Sequence, residues 1–224
     1  MRKATTGTLR SLLPVLLLLT VACSVPPRGG AELPAASPAG RPFTLAPYFA
    51  CQIPADWSVE SGDHGYGLSP EEKKVFGITL QAPRAGVLPV TVSVLFYAAG
   101  NLLHDSPETY IRRHAQPIFV AKEGDEYGPV TVAVVGKQKT WVFERQKNEF
   151  VPAVPLDGIQ SPADDPRVYA RPSVMARPVP VRERFAVIPA AAGFYALRYS
   201  APAEQFAQFL AAFEQVATTF HPLQ

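Results

Sequence analysis

From Phe43 onward the chain alternates apolar and polar residues over short runs closed by proline or glycine. A period of two is of no use to a helix and is what a half-buried strand requires. "VTVSVLFYA" sets Val90, Val92, Val94 and Phe96 against Thr91, Ser93, Leu95 and Tyr97. "VFGITLQAP" sets Phe76, Ile78 and Leu80 against Val75, Gly77 and Thr79, and "GFYALRYSA" sets Tyr195, Leu197 and Tyr199 against Phe194, Ala196 and Arg198. The last is joined to "VRERFAVIP" through "AAAG", which predicts a hairpin. "GPVTVAVVGKQKTWVFERQ" predicts another, turning near Gly136. "PFTLAPYFACQIPADW" reads as one strand ending near Pro54, with Cys51 inside it and Trp57 just beyond.

The period changes twice. In "DSPETYIRRHAQPI", Ser106 can accept from the first free N–H groups of a helix, Pro107 suits the first helical position, and Glu108 favours the positive end of the dipole. Tyr110, Ile111, His114, Ala115 and Ile118 then share one face, and Pro117 marks the stop. The final segment places Phe206, Phe209, Leu210, Phe213, Val216, Ala217 and Phe220 at spacings of three and four, one apolar stripe to lay on a sheet. Between these elements, seven prolines fall between Pro152 and Pro180, so 150–180 is expected to be a long loop or arm.

Ahead of this pattern, Arg2, Lys3 and Arg10 precede an apolar run from Leu12 to Ala22, the order of an export signal. The run is too short to span a bilayer, which takes about 20 apolar residues. Leu19, Thr20, Val21 and Ala22 stand directly before Cys23 and resemble the lipobox of bacterial lipoproteins. That resemblance implies a signal over 1–22, diacylglycerol on the Cys23 thiol, and a new amino terminus that can take a fatty acyl group such as palmitate. The other reading is an ordinary secretory signal with Cys23 removed or left as a free thiol. Ser24, following the cysteine, favours the outer membrane by resemblance to enterobacterial sorting.

Loss of residues 1–22 would remove three basic residues and no acidic one. The formal charge would move from +2, on 21 basic and 19 acidic residues, to −1. The remaining chain then has no global excess of positive charge with which to grip nucleic acid. Residues 23–42 carry almost no large apolar side chain and read as a flexible tether. The rest, 43–224, is sized for a single domain.

The order of these features is similar to the PsbP-like family: a Pro-x-x-Trp after the first strand in "IPADW", a "SPETYI" helix start, a glycine-turn hairpin, and "FYALRYSAPAEQFAQFLAAFEQVATTF" at the end. The resemblance implies an α+β fold in which an antiparallel sheet lies between helices, an α/β/α sandwich. It implies binding or assembly roles and no shared active site.

No catalytic signature appears. His64, His104, His114 and His221 are not at metal-ligand spacing, and "GDHGYG" at 62–67 lacks the finish of a phosphate loop. His104, Asp105 and Glu108 are close in sequence, but they also suit a solvated helix start. Cys51 in an apolar strand reads first as a small buried hydrophobe and, in the rival reading, as a nucleophile or redox thiol. Lys137, Lys139, Arg145 and Lys147 flank Trp141 and Phe143, a mixture suited to single strands, but Glu144 and Glu149 dilute it.

The expectation is therefore a membrane-anchored, non-enzymatic envelope lipoprotein with no cofactor and no nucleic-acid partner. It would bind or position another envelope component, with Tyr169, Arg171 and Met175 of the proline-rich arm as candidate contacts. The alternatives are a carrier of a small hydrophobic ligand between sheet and helix, or an envelope enzyme using Cys51 or His104.

Overall fold

The computed structural model describes residues 40–61, 67–83, 86–135, 137–153 and 175–224, all within one compact unit. Cys23, His64, Tyr169 and Arg171, the export signal and most of the tether lie outside the described residues. Among the described residues the fold is α+β: mostly antiparallel sheet with three helices.

In chain order the elements are β1 (Arg41–Leu45), β2 (Phe49–Ile53), β3 (Ser58–Ser61), α1 (Pro70–Lys73), β4 (Val75–Gln81), β5 (Thr91–Ala98) and α2 (Pro107–Ala115). Then come β6 (Glu126–Tyr127), β7 (Thr131–Val135), β8 (Gln138–Pro152), β9 (Ala176–Ala190), β10 (Gly193–Pro202), α3 (Phe206–Thr219) and β11 (His221–Pro222). The large sheet runs β3-β4-β5-β10-β9-β8-β6, with β7 also on β8. A small sheet runs β1-β2-β11.

Alternation decides which side of the large sheet each residue serves. Val92, Val94 and Phe96 of β5 join Tyr195, Leu197 and Tyr199 of β10 in a core closed by Phe206, Phe213 and Val216 of α3, by Phe220 just past it and by the small sheet. The opposite residues, Tyr97, Phe194 and Ala196, join Phe143, Phe185 and Val187 beneath Tyr110 of α2. The central strands β5, β10 and β9 are thus buried on both faces, with α3 on one side and α2 on the other. Burying each aromatic ring contributes about 1.5–3 kcal/mol. Polar tips inside the first core are satisfied: the Tyr195 hydroxyl donates to the Tyr48 carbonyl (2.8 Å) and that of Tyr199 to the Phe206 carbonyl (2.7 Å). The β9–β10 turn needs Gly193, at φ +146°, because a Cβ there would stand 2.0 Å from the Tyr97 carbonyl oxygen.

Three expectations are corrected, and one helix is added. The first strand is two strands, β1 and β2, folded on each other around the cis Ala46–Pro47 bond, with Leu45 opposite Phe49. The short helix α1 is additional, held by a reciprocal cap in which the Glu72 N–H donates to the Ser69 hydroxyl and the Ser69 N–H donates to the Glu72 carboxylate. Ile118 is not on the α2 face. The helix stops at Ala115, because the residue before a proline is driven to extended backbone and Gln116 sits at φ −150°, ψ 160°.

The proline-rich arm, finally, is shorter than 150–180. Phe150 pairs with Pro178 and Asn148 with Pro180 in the β8–β9 ladder, and the Ala153 N–H donates to the Met175 carbonyl (2.7 Å). Strand prolines need a side with no ladder bond to donate. The Pro180 carbonyl accepts from the Ala203 N–H just past β10, so the missing N–H groups of Pro178 and Pro180 face the side where β10 has ended.

Candidate functional site

The α2 face of the sheet carries a charged cluster inside its apolar surround. Strand alternation directs Arg145 and Lys147 of β8, Glu183 of β9 and Arg198 of β10 to the same side as Phe143, Phe185 and Phe194. Glu183 is completely buried; one carboxylate oxygen accepts from Arg145 Nε, the other from Arg198 Nη2, and Lys147 Nζ stands 4.0 Å away. Burial alone would push this carboxyl up. The charges of Arg198, Arg145 and Lys147 outweigh it and hold the group below the ordinary carboxylate range.

Above the cluster, α2 brings Tyr110 and His114 against Phe185, and the His114 ring stacks on it at 5.3 Å. His104 is set by Asn101, whose side chain accepts from the His104 N–H (2.8 Å) and donates to the His104 carbonyl (2.7 Å). The His104 ring meets Tyr97 and Tyr110 edge-on. Desolvation, with Arg113 nearby, lowers His104 to about 4; desolvation with Arg145 and Arg198 lowers His114 to about 3. The Nδ1 atoms of both are buried without a hydrogen-bond partner among the described residues. Both rings are neutral near pH 7, and an imidazole so reluctant to take a proton is a poor general base. The cluster packs and orients α2.

What α2 presents is more distinctive. Its last turn carries Arg112 and Arg113, and among the described residues neither pairs with a carboxylate. Past Pro117 the chain turns outward, leaving Ile118, Phe119 and Val120 exposed to 66%, 93% and 82%. A tight turn then returns it to β6. The Lys122 N–H donates to the Asp125 carboxylate (3.0 Å), and Asn148 Nδ2 donates to the Glu123 carbonyl (3.0 Å). Gly124 takes φ +85° there, a backbone conformation that favours glycine. Two cavities flank the apolar tip. One of about 350 Å³ is lined by Thr109, Arg112, Arg113, Gln116, Pro117 and Ile118; the other, of about 580 Å³, reaches from Arg113 and the tip to Asp125, Tyr127 and Arg145.

Cys51 and His104, the candidates for chemistry, are on opposite faces of the large sheet. Cys51 is buried in β2 in the α3-side core, and burial pushes its thiol up to about 12. His104 is on the α2 side, against Tyr97 and Tyr110. Met175 is exposed at the start of β9. Of the four hairpin cations, Arg145 and Lys147 turn to Glu183, leaving Lys137 and Lys139 exposed. Phenylalanines of the C-terminal segment are engaged in packing, with Phe206 and Phe213 of α3 on Tyr199 and Phe220, just past the helix, on Tyr195. Among the described residues there is no group of three His, Cys, Asp or Glu side chains placed to hold a metal ion, and no helix long and apolar enough to cross a membrane.

The exposed tip was legible only as "PIFVAK", an apolar triplet after a helix-ending proline. Helical periodicity assigned its first residue to a buried face, and a triplet is too short to contradict that.

No family model and no curated protein sequence matches the chain. Among solved structures it is similar to LpqN, described as involved in cell envelope biogenesis of Mycobacterium tuberculosis. The identity is 12%, over 82% of this chain and 84% of that one, with a TM-score of 0.40. A likeness at this level carries no argument about function.

Proposed function

We propose that this chain is a lipid-anchored protein of the bacterial cell envelope, acylated on Cys23. Its domain, a PsbP-like sandwich of sheet between helices, would bind or position another envelope component without catalysing a reaction. The observation that carries the reading is the pair of cysteines. Cys23 follows a charged and then apolar leader ending in Leu-Thr-Val-Ala, while Cys51 is a free thiol enclosed in a core strand. Acylation uses the first and leaves the second as packing. The placement of α2 and α3 on opposite faces of one antiparallel sheet supports the PsbP-like reading. The outer membrane is the proposed site, on the strength of Ser24.

The test is mass spectrometry of the protein extracted from native membranes. The expected amino-terminal peptide begins at Cys23 and carries a diacylglycerol mass, and Cys23→Ala releases the protein from the membrane or leaves its leader uncleaved. An unmodified Cys23, or cleavage elsewhere, sinks the reading. Crosslinking in the intact envelope then identifies what the domain holds.

A further inference from the structure

We propose that the tip formed by Ile118, Phe119 and Val120, with Arg112, Arg113 and Lys122 around it, is a docking surface for an anionic phospholipid bilayer. This contact is separate from any lipid on Cys23, and either can fail without the other.

The three consecutive apolar side chains protrude from a turn braced at both ends. Pro117 sets its departure from α2, and the Lys122–Asp125 and Asn148–Glu123 hydrogen bonds set its return. An exposed apolar triplet on a braced turn has little to gain from water and can enter the acyl boundary without a large ordering cost. The identity of the surface follows from the charges beside it. Arg112 and Arg113 line the smaller cavity with Thr109 and Gln116, and no carboxylate lines that cavity. Two guanidinium groups without a carboxylate partner among the described residues, a hydroxyl and a side-chain amide are the donors that a phosphate diester accepts.

Ile118 lines the same cavity, so headgroup and acyl contacts are adjacent, as they are in a lipid. Lys122 follows the tip on its other side. The acids of this stretch, Glu123, Asp125 and Glu126, come after it on the return to β6, where Asp125 is held by the Lys122 N–H. The Glu183 cluster beneath α2 keeps the helix, and hence both arginines, in place on the sheet.

The test uses the full chain carrying Cys23→Ser and Phe119→Cys, labelled at position 119 with the environment-sensitive dye NBD while Cys51 stays buried. Vesicles are of phosphatidylcholine alone or mixed with phosphatidylglycerol. Any leader still present is common to all variants, and the probe reads the insertion equilibrium of the tip whichever part of the chain brings the protein to the vesicle. On anionic vesicles the emission is expected to shift to the blue, brighten, and be quenched by brominated acyl chains.

Arg112→Gln with Arg113→Gln is expected to weaken insertion about 30-fold, at about fivefold per cation near the surface, with an unchanged unfolding midpoint. Emission that does not change on anionic vesicles, that responds equally on neutral ones, or that is indifferent to the arginine substitutions overturns the proposal. The first of these outcomes assigns the tip to a protein partner instead. None of them bears on the mass of the Cys23 peptide, which tests acylation.

Discussion

Arg145 of β8 stands directly opposite Glu183 of β9 in the antiparallel ladder and donates its Nε to that fully buried carboxylate. Arg198 reaches the other oxygen from β10 on the far side. One carboxylate therefore ties three adjacent strands together on the face that receives α2.

Replacing Glu183 with Gln leaves the guanidinium groups of Arg145 and Arg198 without their counter-charge. Removing one member of a buried ion cluster costs about 3–5 kcal/mol. The lower end is expected here, because Arg198 keeps partial access to water. Urea unfolding should show a loss of about 3 kcal/mol for Glu183→Gln. Glu149→Gln, on an exposed carboxylate paired with Lys147, should change little. Equal effects for the two would mean that the cluster does not hold the strands.

His114 of α2 and His104 packed against that helix give acid sensitivity of a defined sign. In the unfolded chain each takes a proton near pH 6.5; in the fold they resist until about 4 for His104 and about 3 for His114. Between those limits the unfolded state binds more protons. Stability is therefore full above pH 6.5 and falls as the pH drops, by about 1.4 kcal/mol per pH unit for each histidine. His114→Phe, which keeps a ring against Tyr110 and Phe185, should remove one histidine's share of that slope between pH 6 and 4 while leaving stability at pH 7.5 nearly unchanged. Unfolding free energies across pH check it. An unaltered slope would place His114 in water.

Much of this architecture was legible because it is local. The two faces of β10, the cap at Ser106 and the phenylalanine stripe of α3 are written in neighbouring residues and reappear in the fold. The split at Pro47 is not legible locally, since Phe43 and Phe49 both suit a strand and only the turn between them decides. Nor is the Glu183 cluster written locally. "VRERF" shows an acid between two arginines, yet its partners are Arg145, 38 residues away, and Arg198, which arrive only through strand register. A helix-ending proline overruled the period that would have hidden Ile118, and that is why the tip emerged only from the fold.

Cys51 is expected to be inert in the native protein. With the thiol pushed up to about 12 by burial, almost none is thiolate at pH 8. Peptide mapping after iodoacetamide treatment should find Cys51 unmodified in buffer and fully modified in denaturant. Rapid native modification would reopen a chemical role for this residue.

Phe213 packs on Tyr199 from α3 with its ring centroid 5.9 Å away and is almost wholly buried. Phe213→Ala should cost about 3–5 kcal/mol, as for other buried phenylalanines. A chain ending at Pro202 should fail to unfold cooperatively. A cooperative transition in that truncated chain would show that α3 does not close the core.

The hydrogen bond from Ala153 to the Met175 carbonyl has a consequence for how this chain can change over evolution. The β8–β9 ladder holds Ala153 and Met175 at adjacent points and carries the cost of joining them. Loop length adds only slowly to that cost, by about 0.6 kcal/mol per doubling. The hairpin tip is thus a socket into which segments of different length and composition could be spliced, leaving every strand register below it intact.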